Sequence, residues 1–214
     1  VWLDRAKEAG YEVCIKPFPM SYEDALARNL HRGDAAVKQT VLANQWKMWS
    51  NFIGRPVYTP DPSLPKAVLI GIDGTIAIKG ERGIFDWKKV GVDLPNTFVI
   101  NMIQGMVIYG GYKPIFMSGR DSVCREETMD WIEKHFIGVF GDREFCSTLQ
   151  YDLYMRPVGD NRKDSVVKEE LFWANVADKY NVVAVFDDRP QVVEMWHDIK
   201  IPNVIAVADQ RNRF

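Results

Sequence analysis

Cysteine is scarce in this 214-residue chain: Cys14, Cys124 and Cys146 are an odd number with no metal-type spacing. That excludes a disulfide framework and a thiolate zinc site, and leaves the three as small buried apolar side chains. Neither sign of charge dominates. A net charge of -2 and a pI near 6.0 exclude a general electrostatic binder of nucleic acid, because affinity for the phosphate backbone grows with the number of neutralising Lys and Arg. Recognition of one phosphorylated end by a few local arginines stays open. No apolar run approaches the ~18 residues of a membrane helix, and Val1-Trp2-Leu3-Asp4-Arg5-Ala6-Lys7-Glu8 puts charges where a signal peptide needs an apolar core. No membrane partner is expected, and an intracellular location is. Internal repeats and low-complexity tracts are missing too. The first residue is Val, not Met, as expected of a piece excised from something longer.

What is present is an ordinary globular balance, 47% hydrophobic and 26% charged, with length for one substantial domain and a fragment. Pro56, Pro60, Pro62 and Pro65 crowd residues 54–65, where no continuous helix or inner strand would accept them, so this is a linker. Before it, residues 1–53 read as peripheral helices over 1–9, 22–29 and 34–52, with a short strand over 11–17. After it, residues 66–214 alternate strands with helices, the signature of a sheet with crossover connections. Strands are predicted over 67–72, 113–117, 182–186 and 204–207. Helices are predicted over 96–109, 122–136, 164–180 and 190–197, the first with Asn96 as N-cap and Gly110-Gly111 as its stop. The stretch at about 123–159 breaks the rhythm with small strands over 144–147 and 153–157, and is expected to form a cap over the sheet's carboxyl edge.

Four segments deliver polar groups to that edge, where open α/β sheets bind ligands. The run Ala67-Val68-Leu69-Ile70-Gly71-Ile72-Asp73-Gly74-Thr75 ends an apolar strand on an acid, a glycine and a hydroxyl. Met117-Ser118-Gly119-Arg120 closes the next strand with donors suited to a tetrahedral phosphate. Arg162-Lys163-Asp164-Ser165-Val166-Val167-Lys168 opens a helix with Asp164 and Lys168 at i and i+4. Val185-Phe186-Asp187-Asp188-Arg189 ends a third strand on paired carboxylates, which repel unless a cation such as Mg²⁺ lies near. Each alone is also what a turn, a polar loop, a helix salt bridge or a decorated surface would look like. Their common placement is what points to phosphoryl transfer, which needs a nucleophile, a divalent ion, cations for the phosphate oxygens and a proton carrier.

The stretch 71–75 is similar to the Asp-x-Asp-Gly-Thr motif of the haloacid dehalogenase-type phosphatases. More specifically, residues 66–214 resemble the 3′-phosphatase domain of bacteriophage-type polynucleotide kinase/phosphatases, through Gly80-Glu81-Arg82-Gly83, Ser118 with Arg120, the run from Arg162 to Trp173, and the run from Asp187 to Trp196. The resemblance implies a three-layer parallel-sheet α/β fold, Mg²⁺ as cofactor, and 3′-phosphorylated DNA or RNA ends as partners. It implies that position 71 attacks phosphorus and that Asp73 protonates the departing oxygen and then activates water. Ser118, Arg120 and Lys168 would hold phosphoryl oxygens, Asp164 would orient Lys168, and Arg82 would steady substrate or loop. The metal would be held by the residue-71 carboxylate, the main-chain carbonyl of Asp73 and the Asp187/Asp188 pair. Residues 1–53 look like the end of the preceding kinase domain, with Arg28 and Arg32 matching a nucleotide-contacting lid. No Gly-x-x-x-x-Gly-Lys-[Ser/Thr] occurs, so no kinase activity is expected. The family implies the cytoplasm of an infected bacterial host as location. Trp46, Met48, Trp49 and Phe52 are expected to form an adhesive face favouring a homo-oligomer.

The departure is Gly71. Glycine supplies neither the nucleophile nor the metal carboxylate, so the domain is expected to be inert or nearly so as it stands. Two explanations remain: replacement of a working aspartate, favoured because Asp73, Arg120, Lys168 and Asp188 persist, or natural loss of activity. Besides a nucleophile-less 3′-phosphatase, the sequence admits an end-binding pseudo-phosphatase and a small-molecule phosphatase on the same fold.

Overall fold

Apolar strands that end on polar residues lie side by side in a computed structural model of the chain, which describes residues 2–12, 22–53, 56–83, 86–138 and 148–207. The chain divides into two compact units, Val1–Pro56 and Val57–Phe214.

The first unit holds α1 (Trp2–Glu8), α2 (Tyr22–Leu30) and α3 (Gln39–Ile53). Asn29 ties the end of α2 to the loop before α3, donating to the Val37 carbonyl (2.8 Å) and accepting from its N–H (3.0 Å). The expected helix over 34–52 is split: a short 3-10 turn at Gly33–Ala35 precedes α3. Of the adhesive face, Met48 is 73% exposed, whereas Trp46 lies edge-on to Tyr22 at 6.3 Å. Most of the expected strand over 11–17 lies outside the described residues, and the part that is described, Tyr11 and Glu12, is not strand.

The second unit is built on five parallel strands: β1 (Lys66–Ile70), β4 (Lys113–Asp121), β5 (Asp152–Arg156), β6 (Asn181–Asp187) and β7 (Val204–Ala206), in the order β5-β4-β1-β6-β7. Side chains alternate across a strand. On β1, Val68 and Ile70 therefore enter one core, with Val99, Ile100 and Ile103 of α4 (Thr97–Gly110) and Trp131 and Ile132 of α5 (Arg125–Ile132). Ala67 and Leu69 enter the other, with Phe172 of α6 (Asp164–Asn175) and Val192, Met195 and Trp196 of α7 (Pro190–Asp198). The result is three layers. A small antiparallel pair, β2 (Ala77–Ile78) and β3 (Leu94–Pro95), leaves the carboxyl end of β1.

Three expectations need correction. The segment over 153–157 is no cap element: β5 is the outer strand of the main sheet, and α5 packs its buried Trp131 and Ile132 on the same core. The other expected small strand, over 144–147, lies outside the described residues. The helix over 122–136 is broken into a 3-10 turn at Ser122–Cys124, α5 and a π turn at Glu133–Ile137. The helix from 164 stops at Asn175, where Val176 leaves helical geometry at φ -124° and is wholly buried. Asn96 does occupy the N-cap position of α4 but makes no side-chain cap. Its amide donates instead to the Thr75 carbonyl (3.0 Å), and its backbone N–H to Ile76 (2.7 Å). Among the described residues no helix is long and apolar enough to cross a membrane.

Tyr58 pins the start of this unit. Its hydroxyl donates to the Tyr180 carbonyl (2.8 Å) and accepts from the buried Val182 N–H (2.8 Å). Burial pushes the phenol's pKa up, so the donor proton stays in place. Tyr58→Phe leaves both backbone groups unsatisfied and is expected to lower unfolding free energy by about 1 to 2 kcal/mol, measured by urea denaturation.

Candidate active site

The carboxyl ends of β1, β4 and β6 and the start of α6 bring most of the expected residues together. Asp73 follows β1 in a tight turn whose Gly74 has φ +78°. A side chain at Gly74 would collide with the Asp188 carboxylate, so glycine is required there by both conformation and space.

Asp73 is held by two arginines. Arg120 donates through Nε to Oδ2 (2.8 Å) and through Nη2 to Oδ1 (2.9 Å), and Arg82 through Nη2 to Oδ1 (2.9 Å). Both arginines also share Asp93: Arg82 reaches it through Nε (2.7 Å) and Nη2 (2.6 Å), Arg120 through Nη2 (2.8 Å). Trp131 Nε1 fixes Asp93 from behind by donating to its carbonyl (2.8 Å). Burial alone would raise the pKa of Asp73, but the hydrogen bonds and charge of Arg120, then of Arg82, hold its carboxyl below the usual range. A register shift in β4 between Ser118 and Asp121 aims Arg120 inward.

This corrects the expected role of Arg120. Its side chain is fully buried, and Nη1 lies on Thr128 (3.3 Å), so its fork orients Asp73 rather than a phosphate. Arg82 likewise steadies Asp73 and the loop, with Nη1 on the Gly83 carbonyl (3.3 Å). Ser118 is buried beside them, its Oγ accepting from the Arg120 N–H (3.1 Å).

Asp164 does not orient Lys168. Its carboxylate is taken by Arg156 and by Arg189, and it lies so close to Gly119 that any side chain there would collide with it. Lys168 reaches across to β6, donating to Asp187 Oδ2 (2.7 Å). Asp187 also accepts from Trp196 Nε1 (3.3 Å) and from the N–H groups of Asp188 (3.1 Å) and Arg189 (3.4 Å). It therefore anchors Lys168 and the entry to α7. Asp188 is the carboxylate left over. Burial, then the charge of Asp187, pushes its pKa up to about 6.

Among the described residues no three His, Cys, Asp or Glu side chains cluster as a metal site. The donor set still fits Mg²⁺, which is commonly held by one or two carboxylates with waters and a substrate phosphate. Asp188 is such a carboxylate, short of positive charge.

At Gly71 the backbone N–H donates to Phe186 (2.8 Å). A Cβ there would meet Thr75 Oγ1 at 2.7 Å, the Phe186 carbonyl at 3.2 Å and Asp187 Cγ at 3.4 Å. Thr75 Oγ1 instead donates to Asp188 Oδ1 (3.3 Å). Arg28 and Arg32 belong to the first unit and are exposed.

Sequence reasoning missed Asp93, Arg156 and Arg189. Asp93 had a signal, an acid standing alone in the apolar run from Val90 to Pro95, and Arg156 a weaker one, a cation closing the short, half-polar run Asp-Leu-Tyr-Met-Arg.

The family model of the polynucleotide kinase PNKP phosphatase domain matches residues 65–211. A protein of Autographa californica nuclear polyhedrosis virus named bifunctional polynucleotide kinase/RNA ligase is 35% identical over 210 residues. These are 97% of this chain but only 29% of that protein. Among solved structures, a chain of a Pnkp1/Rnl/Hen1 complex matches with TM-score 0.60 and 35% identity, over 72% of this chain and 50% of its own length. A chain of the Pnkp1/Rnl/Hen1 RNA repair complex matches with TM-score 0.58 and 28% identity, over 89% and 65%.

Two outcomes follow from the charges. Asp93→Asn leaves two buried arginines sharing one carboxylate and is expected to cost about 3 kcal/mol or more in urea unfolding. Asp188 behaves oppositely. Its folded pKa of about 6 lies above the ordinary 3.8, so its ionised form costs stability above about pH 6, and the cost is relieved as pH falls toward about 4. Asp188→Asn is expected to stabilise the metal-free protein by about 1 to 2 kcal/mol at neutral pH. The gain should vanish near pH 4 and shrink when Mg²⁺ is added.

Proposed function

The chain belongs to the polynucleotide kinase PNKP phosphatase domain family, and from that premise we propose that it is the 3′-end-healing phosphatase module of an RNA or DNA repair protein, disarmed at residue 71. The observation that carries this reading is the convergence of Asp73, Ser118, Lys168 and Asp188 on one rim beside an empty-handed glycine. Asp188 and the Asp73 carbonyl would hold Mg²⁺ together with the substrate, and the ion would supply positive charge for the phosphate oxygens.

With an aspartate at position 71, its carboxylate attacks phosphorus and forms an aspartyl-phosphate, while the bond to the 3′ oxygen breaks. Asp73 passes a proton to that oxygen. Water deprotonated by Asp73 then attacks the acyl-phosphate, restoring the aspartate and releasing inorganic phosphate. Arg82 and Arg120 keep Asp73 ionised at rest, so the first proton enters with the substrate, as the monoanion of a monoester whose second pKa is about 6. Ser118, the amides around Gly119 and Lys168 receive the phosphoryl oxygens. Lys168 does so while anchored to Asp187.

As written, the same arrangement binds a phosphorylated end without turning it over, since Gly71 offers no nucleophile. The end-binding reading rests on that residue alone. A small-molecule phosphatase is disfavoured by a family match that runs over residues 65–211 of the second unit.

Residues 1–53 are read as the tail of a kinase domain, 54–65 as a linker and 66–214 as the phosphatase. In support, the curated relative is named a polynucleotide kinase and aligns over 97% of the chain. The chain spans under a third of that relative and about half to two thirds of the solved chains. The ligase and Hen1 that accompany the solved relatives are therefore proposed as kinds of partner for the whole protein.

Gly71→Asp is expected to release phosphate from a 3′-phosphorylated oligonucleotide in Mg²⁺, at least about 100-fold faster than the unsubstituted chain. Its rate should fall as pH rises through about 6. Thr75 must first rotate its hydroxyl out of the way, so Gly71→Asp/Thr75→Ser is expected to match or exceed the single variant. Failure of both to release phosphate would sink the reading.

A further inference from the structure

The pocket holds its own cations too tightly to grip a strand. Arg82 and Arg120 spend their guanidinium groups on Asp73 and Asp93, and Lys168, anchored to Asp187, has donors left for the terminal phosphate alone. Affinity for a polynucleotide must therefore come from surface that adjoins the pocket.

The segment around β3 offers such a surface. Asp93 looks inward to both arginines, while Val92, at the end of a 3-10 turn over Trp87–Val92, and Leu94, at the start of β3, are 66% and 62% exposed. Asn96 is fastened to the Thr75 carbonyl beside the site. Two residues on, a span of at most about 7 Å, Phe98 opens the first turn of α4 with 73% of its surface exposed. Lys88 and Lys89 are exposed on the approach to Val92; Lys89 pairs with Asp86 (3.0 Å), but on the surface, where water and salt screen the pair and leave the ammonium exchangeable. From Thr97 to Gly110 there is no charged side chain, whereas Glu127 and Asp130 of α5 line the hollow at Gly91 together with Lys134, so the track runs from Val92 toward Phe98 and away from them. An exposed ring with aliphatic neighbours and lysines at one edge suits unpaired bases, which stack without regard to sequence while cations take the backbone.

We propose that Val92, Leu94 and Phe98 form a track on which the unpaired nucleotides that precede the terminal, 3′-phosphorylated one stack, with Lys88 and Lys89 on their backbone phosphates. The proposal rests on the reading of the site as a pocket for polynucleotide ends. Continuity of the segment with Asp93 and Asn96 is what favours this occupant over a protein docked on the same apolar face.

The test is fluorescence anisotropy with a 5′-labelled, 3′-phosphorylated single-stranded oligonucleotide, using the 214-residue chain and its Phe98→Ala and Phe98→Trp variants. Phe98→Ala is expected to weaken oligonucleotide binding about tenfold, with competition by a nucleoside 3′-monophosphate and the thermal midpoint unchanged. Phe98→Trp should keep the affinity, and Lys88→Ala/Lys89→Ala should flatten the salt dependence by about 1.4 in the log–log slope. Four results overturn the track: no oligonucleotide binding by the unsubstituted chain, unchanged affinity in Phe98→Ala, equal losses for oligonucleotide and monophosphate, or a change in solution mass without a change in affinity. Phosphate release by the Gly71→Asp variants judges the reading of the site separately, because those variants keep Phe98.

Discussion

Two arginines divided between two carboxylates decide what the rest of the site can do. Arg82 and Arg120 reach Asp73 on one side and Asp93 on the other, and three of the four side chains are essentially sealed from water while that of Asp73 is 35% exposed. Buried charges survive only when paired and hydrogen-bonded. Asp93 supplies the compensation that lets both arginines stay charged under the sheet's rim. The consequence reaches Asp73, which is aimed and kept ionised by groups that never meet solvent.

A second set of pairs repeats the pattern across the rim. Arg156 joins the end of β5 to the Gly119 carbonyl (2.8 Å) and to Asp164, and also reaches the carbonyls of Asp160 (2.9 Å) and Arg162 (2.8 Å). Lys168 meets Asp187. What remains uncompensated is Asp188, the carboxylate for which a divalent ion would supply the missing charge. Around Gly71 space is tight: Thr75 places its hydroxyl where any Cβ at residue 71 would press, and turns that hydroxyl toward Asp188.

Much of this could be read from the sequence, for physical reasons. Parallel strands buried on both faces are continuous apolar runs, so β1, β6 and β7 stand out as parts of a parallel sheet, and the haloacid dehalogenase-like α/β fold that the family resemblance implies is the one observed. Strand ends that carry acids and cations mark the rim. Side-chain partners were less legible. Asp164 and Lys168 share a helix face, yet each prefers a partner from another strand or loop, Arg156 and Arg189 for the one and Asp187 for the other. Arg120 looks like a phosphate fork until Asp73 and Asp93 claim it. β5 looks like part of an insertion because its run, Asp-Leu-Tyr-Met-Arg, is short and half polar, as an outer strand can afford to be. Local pattern carries the elements, whereas pairings across tens of residues depend on topology that no single segment encodes.

The central claim is that segments far apart in sequence build one centre for a divalent ion and a phosphoryl group at the carboxyl rim. Crystals soaked with Mn²⁺ and tungstate test it most directly through anomalous density. The account predicts a manganese peak at Asp188 and a tungstate between it and the groups of Ser118, Gly119 and Lys168. Peaks confined to other surfaces, or a rim that stays bare while both ions bind elsewhere, would contradict it.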